Sequence, residues 1–305
     1  MPWLLPQFWP ISATLRLYAN NSFSLRSIMS AITKILVSQS ATNATGYSAT
    51  FSSIQEAVDN AAPGDIIEIE AGSYEPFTVA TSGTDGQPIT IRSVSGAEDV
   101  VIDGTGTSVR ALIEIVGQSH ISVSGFNLQN APQHGIYVEG SDAISEGITI
   151  EGNLVAGTGS SGIHVNGVNT SGLAAVDTFY LKDVAILNNE VTRTNTANGV
   201  NEAITLGAGV QGFVIDGNHV HNTQQYGIDV KAGAKDGRVS NNSIHDIEHY
   251  GIYIDAGSRT IENVIVEDNF VENATNGIVI ARESRRDPDN PNIINVDIVN
   301  NSVLN

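Results

Sequence analysis

From about residue 66 onward the chain alternates apolar and polar positions in short runs separated by glycine, asparagine or aspartate, the pattern of strands and tight turns. Six segments repeat one form: HGIYVEG from His134, SGIHVNG from Ser161, EAITLGA from Glu202, YGIDVKAG from Tyr226, YGIYIDAG from Tyr250 and NGIVIAR from Asn276. Each is followed by a second form, an apolar alternation running into asparagine and a β-branched or aromatic pair, as in ITIEGNLV, VAILNNEV, FVIDGNHV and VIVEDNFV. The asparagines Asn189, Asn218, Asn242 and Asn269 are spaced 29, 24 and 27 residues. That is too short for strand–helix–strand units and suits one coil of a parallel solenoid with two or three strands per turn. The recurring asparagine is expected at a tight turn in left-handed backbone, its amide stacked along the axis.

The fold expected is all-β: a right-handed, single-stranded parallel β-helix with a short N-terminal capping helix. The helix is placed in FSSIQEAVDNAAPGD, where Phe51, Ile54, Ala57, Val58 and Ala61 have helical spacing and Pro63-Gly64 stops the run. Residues 1–40 are read as an N-terminal extension, a leader or a non-native start, and 41–305 as the β-helix domain. The opening MPWLLPQFWP lacks the early positive charge and unbroken apolar core of a secretory signal, and Met29 is an alternative start. The chain stops just after a strand pattern, so an exposed edge there is expected to meet further repeats or a partner.

Side-chain alternation sets the candidate chemistry. With Ile228 and Val230 inward, Asp229 and Lys231 face outward. Stacking the repeats makes three outward columns: Tyr137, His164, Thr205, Asp229, Tyr253, Val279; then Glu139, Asn166, Gly207, Lys231, Asp255, Ala281; and, just before the strand, His134, Ser161, Glu202, Tyr226, Tyr250, Asn276. Two long excursions, 167–183 and 282–293, leave the same side and would wall a groove about Glu202, Asp229, Lys231 and Asp255. An exposed ion-pair ladder is the plainer account of these charges.

Composition narrows the partners. Fourteen basic against thirty-three acidic residues give a formal charge of −19, which disfavours nucleic acid and anionic membrane surfaces. No apolar run reaches the length of a membrane-spanning helix. With no cysteine, disulfides, zinc–thiolate sites and thiol nucleophiles are excluded. Half of the basic residues, Lys231, Lys235, Arg238, Arg259, Arg282, Arg285 and Arg286, fall within 231–286, a local patch for an acidic ligand. The string Gly157-Thr-Gly159-Ser-Ser-Gly162 matches a dinucleotide fingerprint but joins two strands, so it carries no such function.

SIQEAVDNAAPGDIIEIEAGSY, QPITIRSV and VVIDGTG, followed by the GI-x-V repeats, resemble the right-handed parallel β-helix proteins of the pectate lyase-like superfamily over about residues 45–305. The segment from Tyr226 to Lys231 resembles the Tyr-x-x-Asp-Pro-His catalytic segment of mannuronan C5-epimerases; Tyr226 and Asp229 match, while Val230 and Lys231 replace Pro and His. Other β-helix lyases that it resembles use a lysine base, with calcium or arginine neutralising the uronate carboxylate. The resemblance implies a lyase or C5-epimerase acting on an extracellular or cell-surface acidic polysaccharide. Lys231 would be the base and Tyr226 or Tyr250 the proton donor, with Asp229 as base and Lys231 as charge neutraliser the variant. Glu202, Asp229 and Asp255 would hold calcium, and His164, Tyr253 and Arg282 would bind substrate. A glycoside hydrolase using Asp229 and Asp255, and a noncatalytic carbohydrate-binding solenoid, are the alternatives.

Overall fold

The computed structural model describes residues 33–40, 44–141, 143–167, 180–197, 199, 201–207, 209–257, 259–282 and 293–305. Every pairing between its named strands is parallel. One run of strands forms an 11-stranded sheet that starts with Ala49–Phe51 and Lys34–Val37 and ends at Ile293–Val299. Two further runs occupy the rest of each coil. They merge into a 15-stranded sheet because the long strands Ser243–Asp255 and Phe270–Ala281 traverse both. Each coil thus has three strands, and partners one coil apart sit in register: Ile204 beside Ile228, and Ile228 beside Ile252.

Inward positions form one continuous core of stacked Ile, Val and Leu, including Ile136, Ile163, Ile204, Ile228 and Ile252, all fully buried. Each such side chain contributes about 1.5–3 kcal/mol by leaving water. Five of the six repeats place a glycine where the chain turns into this strand, at corners with little room for a Cβ. A Cβ on Gly135 would stand 2.4 Å from Val155 Cγ1, and one on Gly251 2.4 Å from Val271 Cγ1. EAITLGA carries Ala203 at that position, and it too is fully buried.

The expected asparagine stack is present and runs through six coils. The backbone N–H groups of Asn153, Asn189, Asn218, Asn242 and Asn269 each donate to the side-chain oxygen of the next asparagine, ending at Asn301, at 2.9–3.0 Å. Each amide nitrogen also reaches a strand carbonyl on the preceding coil, as from Asn218 to Ile186 O at 2.9 Å. The left-handed residue is not the ladder asparagine but the one before it: Gly152, Asn188, Gly217, Asn241, Asp268 and Asn300 all have φ of 53–66°. The preceding residue makes the turn, which frees the asparagine to satisfy buried backbone groups.

The helix is shorter than its pattern, Ile54–Asp59, because Phe51 belongs to the strand Ala49–Phe51. Ser53 caps it by accepting the Glu56 N–H, and Ile54, Ala57 and Val58 enter the core. The boundary expected at residue 41 lies too far along the chain. Lys34–Val37 is already an internal strand of the first sheet, paired on both sides. Its Lys34 side chain bonds Glu68 at 3.1 Å, and Arg92 bonds the same carboxylate at 2.5 Å. Residues 1–32 lie outside the described residues, as do most of the two excursions (168–179 and 283–292) and Arg285 and Arg286. In the last coil Ile298 and Val303 are 44% and 45% exposed, in contrast to the buried residues stacked beneath them.

Candidate active site

The first outward column is observed in full, and the other two over the coils whose register partners are paired. Tyr137, His164, Thr205, Asp229, Tyr253 and Val279 are successive register partners, and Lys231 pairs with Asp255, which pairs with Ala281. Glu202, Tyr226, Tyr250 and Asn276 form the flanking column. The face is less open than the alternation suggested: Asp229 is 0%, Glu202 1% and Asp255 8% exposed.

One ammonium organises its centre. Lys231 Nζ donates to Glu202 Oε1 at 2.6 Å and lies 3.5 Å from Asp229 Oδ2. Thr205 donates to the other Glu202 oxygen at 2.7 Å and sits 3.0 Å from the Ser161 hydroxyl. Neither oxygen of Asp229 has a hydrogen bond among the described residues. Burial drives the Asp229 carboxyl well above the usual aspartate range; the Lys231 charge opposes the shift, while Glu202 and Asp255 reinforce it. Burial by itself would lower the Lys231 pKa, but Asp229 and Glu202 outweigh it and hold the amine above its ordinary value. A proton-abstracting base must be unprotonated, so this setting suits Lys231 as charge neutraliser better than as base, the arrangement of the variant with Asp229 as base.

The expected calcium ligands do not fit calcium either. Glu202 and Asp229 both turn toward the Lys231 ammonium, which takes up the positive-charge position. Asp255 is committed to the Gly257 N–H at 2.7 Å. Among the described residues these three carboxylates are not gathered as a metal-binding group.

Aromatic rings gather on the same face, on the coils before and after Lys231. Tyr226 stacks on Tyr250 at 4.8 Å, and Tyr253 lies 5.3 Å from Tyr226 and 5.0 Å from Tyr250. On earlier coils His164 stacks on Tyr137 at 5.3 Å and approaches His134 at 4.8 Å. Burial, with the charges of His134, Lys231 and Arg110, lowers the His164 pKa to about 3; burial and Arg110 lower that of His134 to about 4. Both imidazoles are neutral near pH 7, and each presents a buried, unpartnered Nδ1. Tyr137 donates to Glu139 and has its pKa pushed up to about 12, by burial first and then by that carboxylate. Arg110 covers the Tyr137 ring at 4.0 Å and pairs with Glu114 and Glu139.

Of the residues singled out from sequence, Glu202, Tyr226, Asp229, Lys231, Tyr250, Tyr253 and Asp255 share three consecutive coils, and His164 lies on the same face two coils before Asp229. Arg282 does not join them. It is exposed one residue past the strand Phe270–Ala281, with no ion pair to the cluster among the described residues. Sequence reasoning missed Arg110 and Glu114. Extending the repeat back one coil to ALIEIV would have found both, since Glu114 is the register partner of Tyr137 and Ala111 that of His134.

A parallel β-helix bearing a buried acid, a fixed ammonium and stacked aromatic rings on one outer face is the class this structure defines. The family profile described as "Pel9A-like, right handed beta helix region" matches residues 35–230, and the chain belongs to that family, which makes the helix right-handed. The chain is 32% identical over 192 residues to a Bacillus subtilis (strain 168) protein described as uncharacterized protein YwoF. That match covers 59% of this chain and 39% of the relative, so it spans well under half of the relative's length. Among solved structures, XylC in complex with xylose superposes with a TM-score of 0.59 at 14% identity, covering 89% of this chain and 70% of that one. Pectate lyase Pel9A superposes at 0.56 and 16%, covering 90% and 77%. The periplasmic alginate epimerase AlgG superposes at 0.51 and 13%, covering 80% and 61%. At these identities the likeness is one of fold.

Proposed function

We propose that this chain is a polysaccharide-active enzyme that moves the C5 proton of a uronate residue, as a lyase or C5-epimerase, on the face centred on Asp229 and Lys231. The observation that carries the proposal is Asp229: a wholly buried carboxyl with no hydrogen bond, an elevated pKa and a fixed ammonium 3.5 Å away. A carboxyl raised from its ordinary 3.8 is a stronger base when ionised, and its place in a dry site strengthens the neighbouring charge. In this reading Asp229, closed to solvent in the unliganded protein, takes the C5 proton once substrate displaces the side chains over it. Lys231 faces the negative charge that develops on the uronate carboxylate as the C–H electrons delocalise into it. Tyr226 or Tyr250 then donates a phenolic proton. Delivered to the departing O4, it completes elimination; delivered to C5 from the other face, it inverts that carbon. The half-buried Tyr226 and Tyr250 offer flat surfaces to sugar rings. A polyuronate substrate would be met outside the cytoplasm, and the alginate epimerase of similar fold is described as periplasmic.

One observation favours a second reading. A carboxyl that holds its proton also suits a general acid, and Asp255, one coil on and two residues along, would be the second carboxylate of an inverting glycoside hydrolase.

The test is a panel of alginate, pectate and chondroitin with neutral glycans, assayed for ultraviolet absorbance, uronate configuration and new reducing ends. Unsaturated or epimerised uronate supports proton transfer at C5. Reducing ends alone, on any member, would overturn it in favour of hydrolysis, and no turnover on any polyuronate would reject it.

A further inference from the structure

A second cluster of chemistry lies on a different strand of the same coils and plays no part in the proposed proton transfer. The strand His219–Thr223 opens with His-Val-His; with Val220 in the core, His219 and His221 both face outward. Parallel register sets Glu190 beside His219 on the coil before, and His245 beside His221 on the coil after.

The rings gather closely: His219 to His221 at 4.4 Å, and each of these to His245 at 5.1 Å. Their donor atoms converge as well. His219 Nε2 is 2.9 Å from His245 Nε2, and His221 Nε2 is 3.2 Å from Glu190 Oε1. One ligand atom from each of Glu190, His219 and His221 lies within 4.8 Å of the others. Two Nε2 atoms that face each other at hydrogen-bond distance need a proton between them, or a metal ion in its place.

The surroundings are those of a metal site. Asp246 Oδ2 lies 2.8 Å from His245 Nδ1, the outer carboxylate that directs Nε2 toward a metal. Thr192 Oγ1 is 3.3 Å from His221 Nδ1 and the Asn222 amide 2.7 Å, fixing that ring from the same side. A tetrahedral zinc with bonds of about 2.0–2.1 Å needs donors about 3.3 Å apart. The His221–Glu190 pair at 3.2 Å meets that; the His219–His245 pair at 2.9 Å must open by a few tenths of an ångström, and the remaining pairs come within reach by side-chain rotation, since Glu190 and His245 are partly exposed. Glu190 and Asp246 balance a dication. Three imidazoles and a carboxylate select a borderline transition ion over calcium or magnesium. A cleft of about 590 Å³, with Asn127, Gln129 and Arg193 among its lining residues, adjoins Glu190 and His221.

We infer that Glu190, His219, His221 and His245 form a zinc-class metal site that clasps three successive coils at the edge of this cleft. The test uses the untagged full chain, stripped with chelator and titrated calorimetrically with zinc chloride and, separately, calcium chloride. One zinc ion per chain is expected, with no calcium response at this cluster and a zinc-dependent rise in Tm. The double variant His219→Gln/His221→Gln should lose at least 100-fold in zinc affinity and the rise in Tm, while keeping the wild-type circular dichroism spectrum. Asp246→Asn should weaken binding about 10-fold, the effect of an outer-shell partner. An absence of zinc binding, or binding that the double variant leaves unchanged, would overturn the site. Neither result bears on Asp229.

Discussion

Lys231 and Glu202, on adjacent coils, are joined by a 2.6 Å hydrogen bond, and the same ammonium lies 3.5 Å from the buried Asp229 carboxyl. Truncating it leaves Glu202 buried with only the Thr205 hydroxyl. Lys231→Met is expected to cost about 2 kcal/mol of stability. The double change with Glu202→Gln should cost less than the sum of the singles. A double-mutant cycle in urea unfolding reads both; additive losses would show that the pair does not interact.

Asp229 links stability to pH. Its native pKa lies above the ordinary 3.8, so over the interval between them the folded protein binds more protons than the unfolded chain. The stability that this group contributes is full below the ordinary value and is lost as pH rises through the native one. Asp229→Asn removes that dependence, so the variant should gain stability relative to wild type as pH rises from 4 to 8. Thermal melts across this range check it; parallel curves would mean that Asp229 does not titrate abnormally.

Asn218 satisfies groups on the coils before and after its own. Its oxygen accepts from Asn189, and its amide reaches Ile186 O and Asn242 Oδ1. Asn218→Ala strands several buried polar groups and should destabilise by about 3 kcal/mol. Chemical denaturation measures it, and a loss under 1 kcal/mol would contradict the ladder's role.

Gly227 is fixed by close approach, since a Cβ there would stand 2.5 Å from Gly251 O and 2.9 Å from Ile244 Cγ2. Gly227→Val should destabilise by about 3 kcal/mol and lower Tm. Wild-type stability in this variant would mean that the corner is looser than the structure shows.

The coil and the outward columns were legible because period-2 alternation and in-register stacking leave one arrangement that buries Ile228 and Val230 together, whereas the strand count, two or three per coil in the sequence, is three in the structure. What alternation does not reveal is depth. It places Asp229 outward, and the structure shows that outward position buried, which favours the variant with Asp229 as base and Lys231 as charge neutraliser. Arg110 escaped notice because ALIEIV lacks the glycine that marks the later repeats. The Glu190, His219, His221 and His245 cluster escaped because its members belong to the second repeat form, where the asparagines drew the reading.

The central assignment is most directly tested by proton NMR of a polyuronate incubated with the enzyme in D2O, which registers elimination and epimerisation alike as loss of the C5 proton signal. That loss should occur with wild type, quicken as pH rises through the native pKa of Asp229, and disappear in a folded Asp229→Asn variant. Retention of the C5 proton while the polymer is cleaved, or equal loss with and without the Asp229 carboxyl, would contradict it.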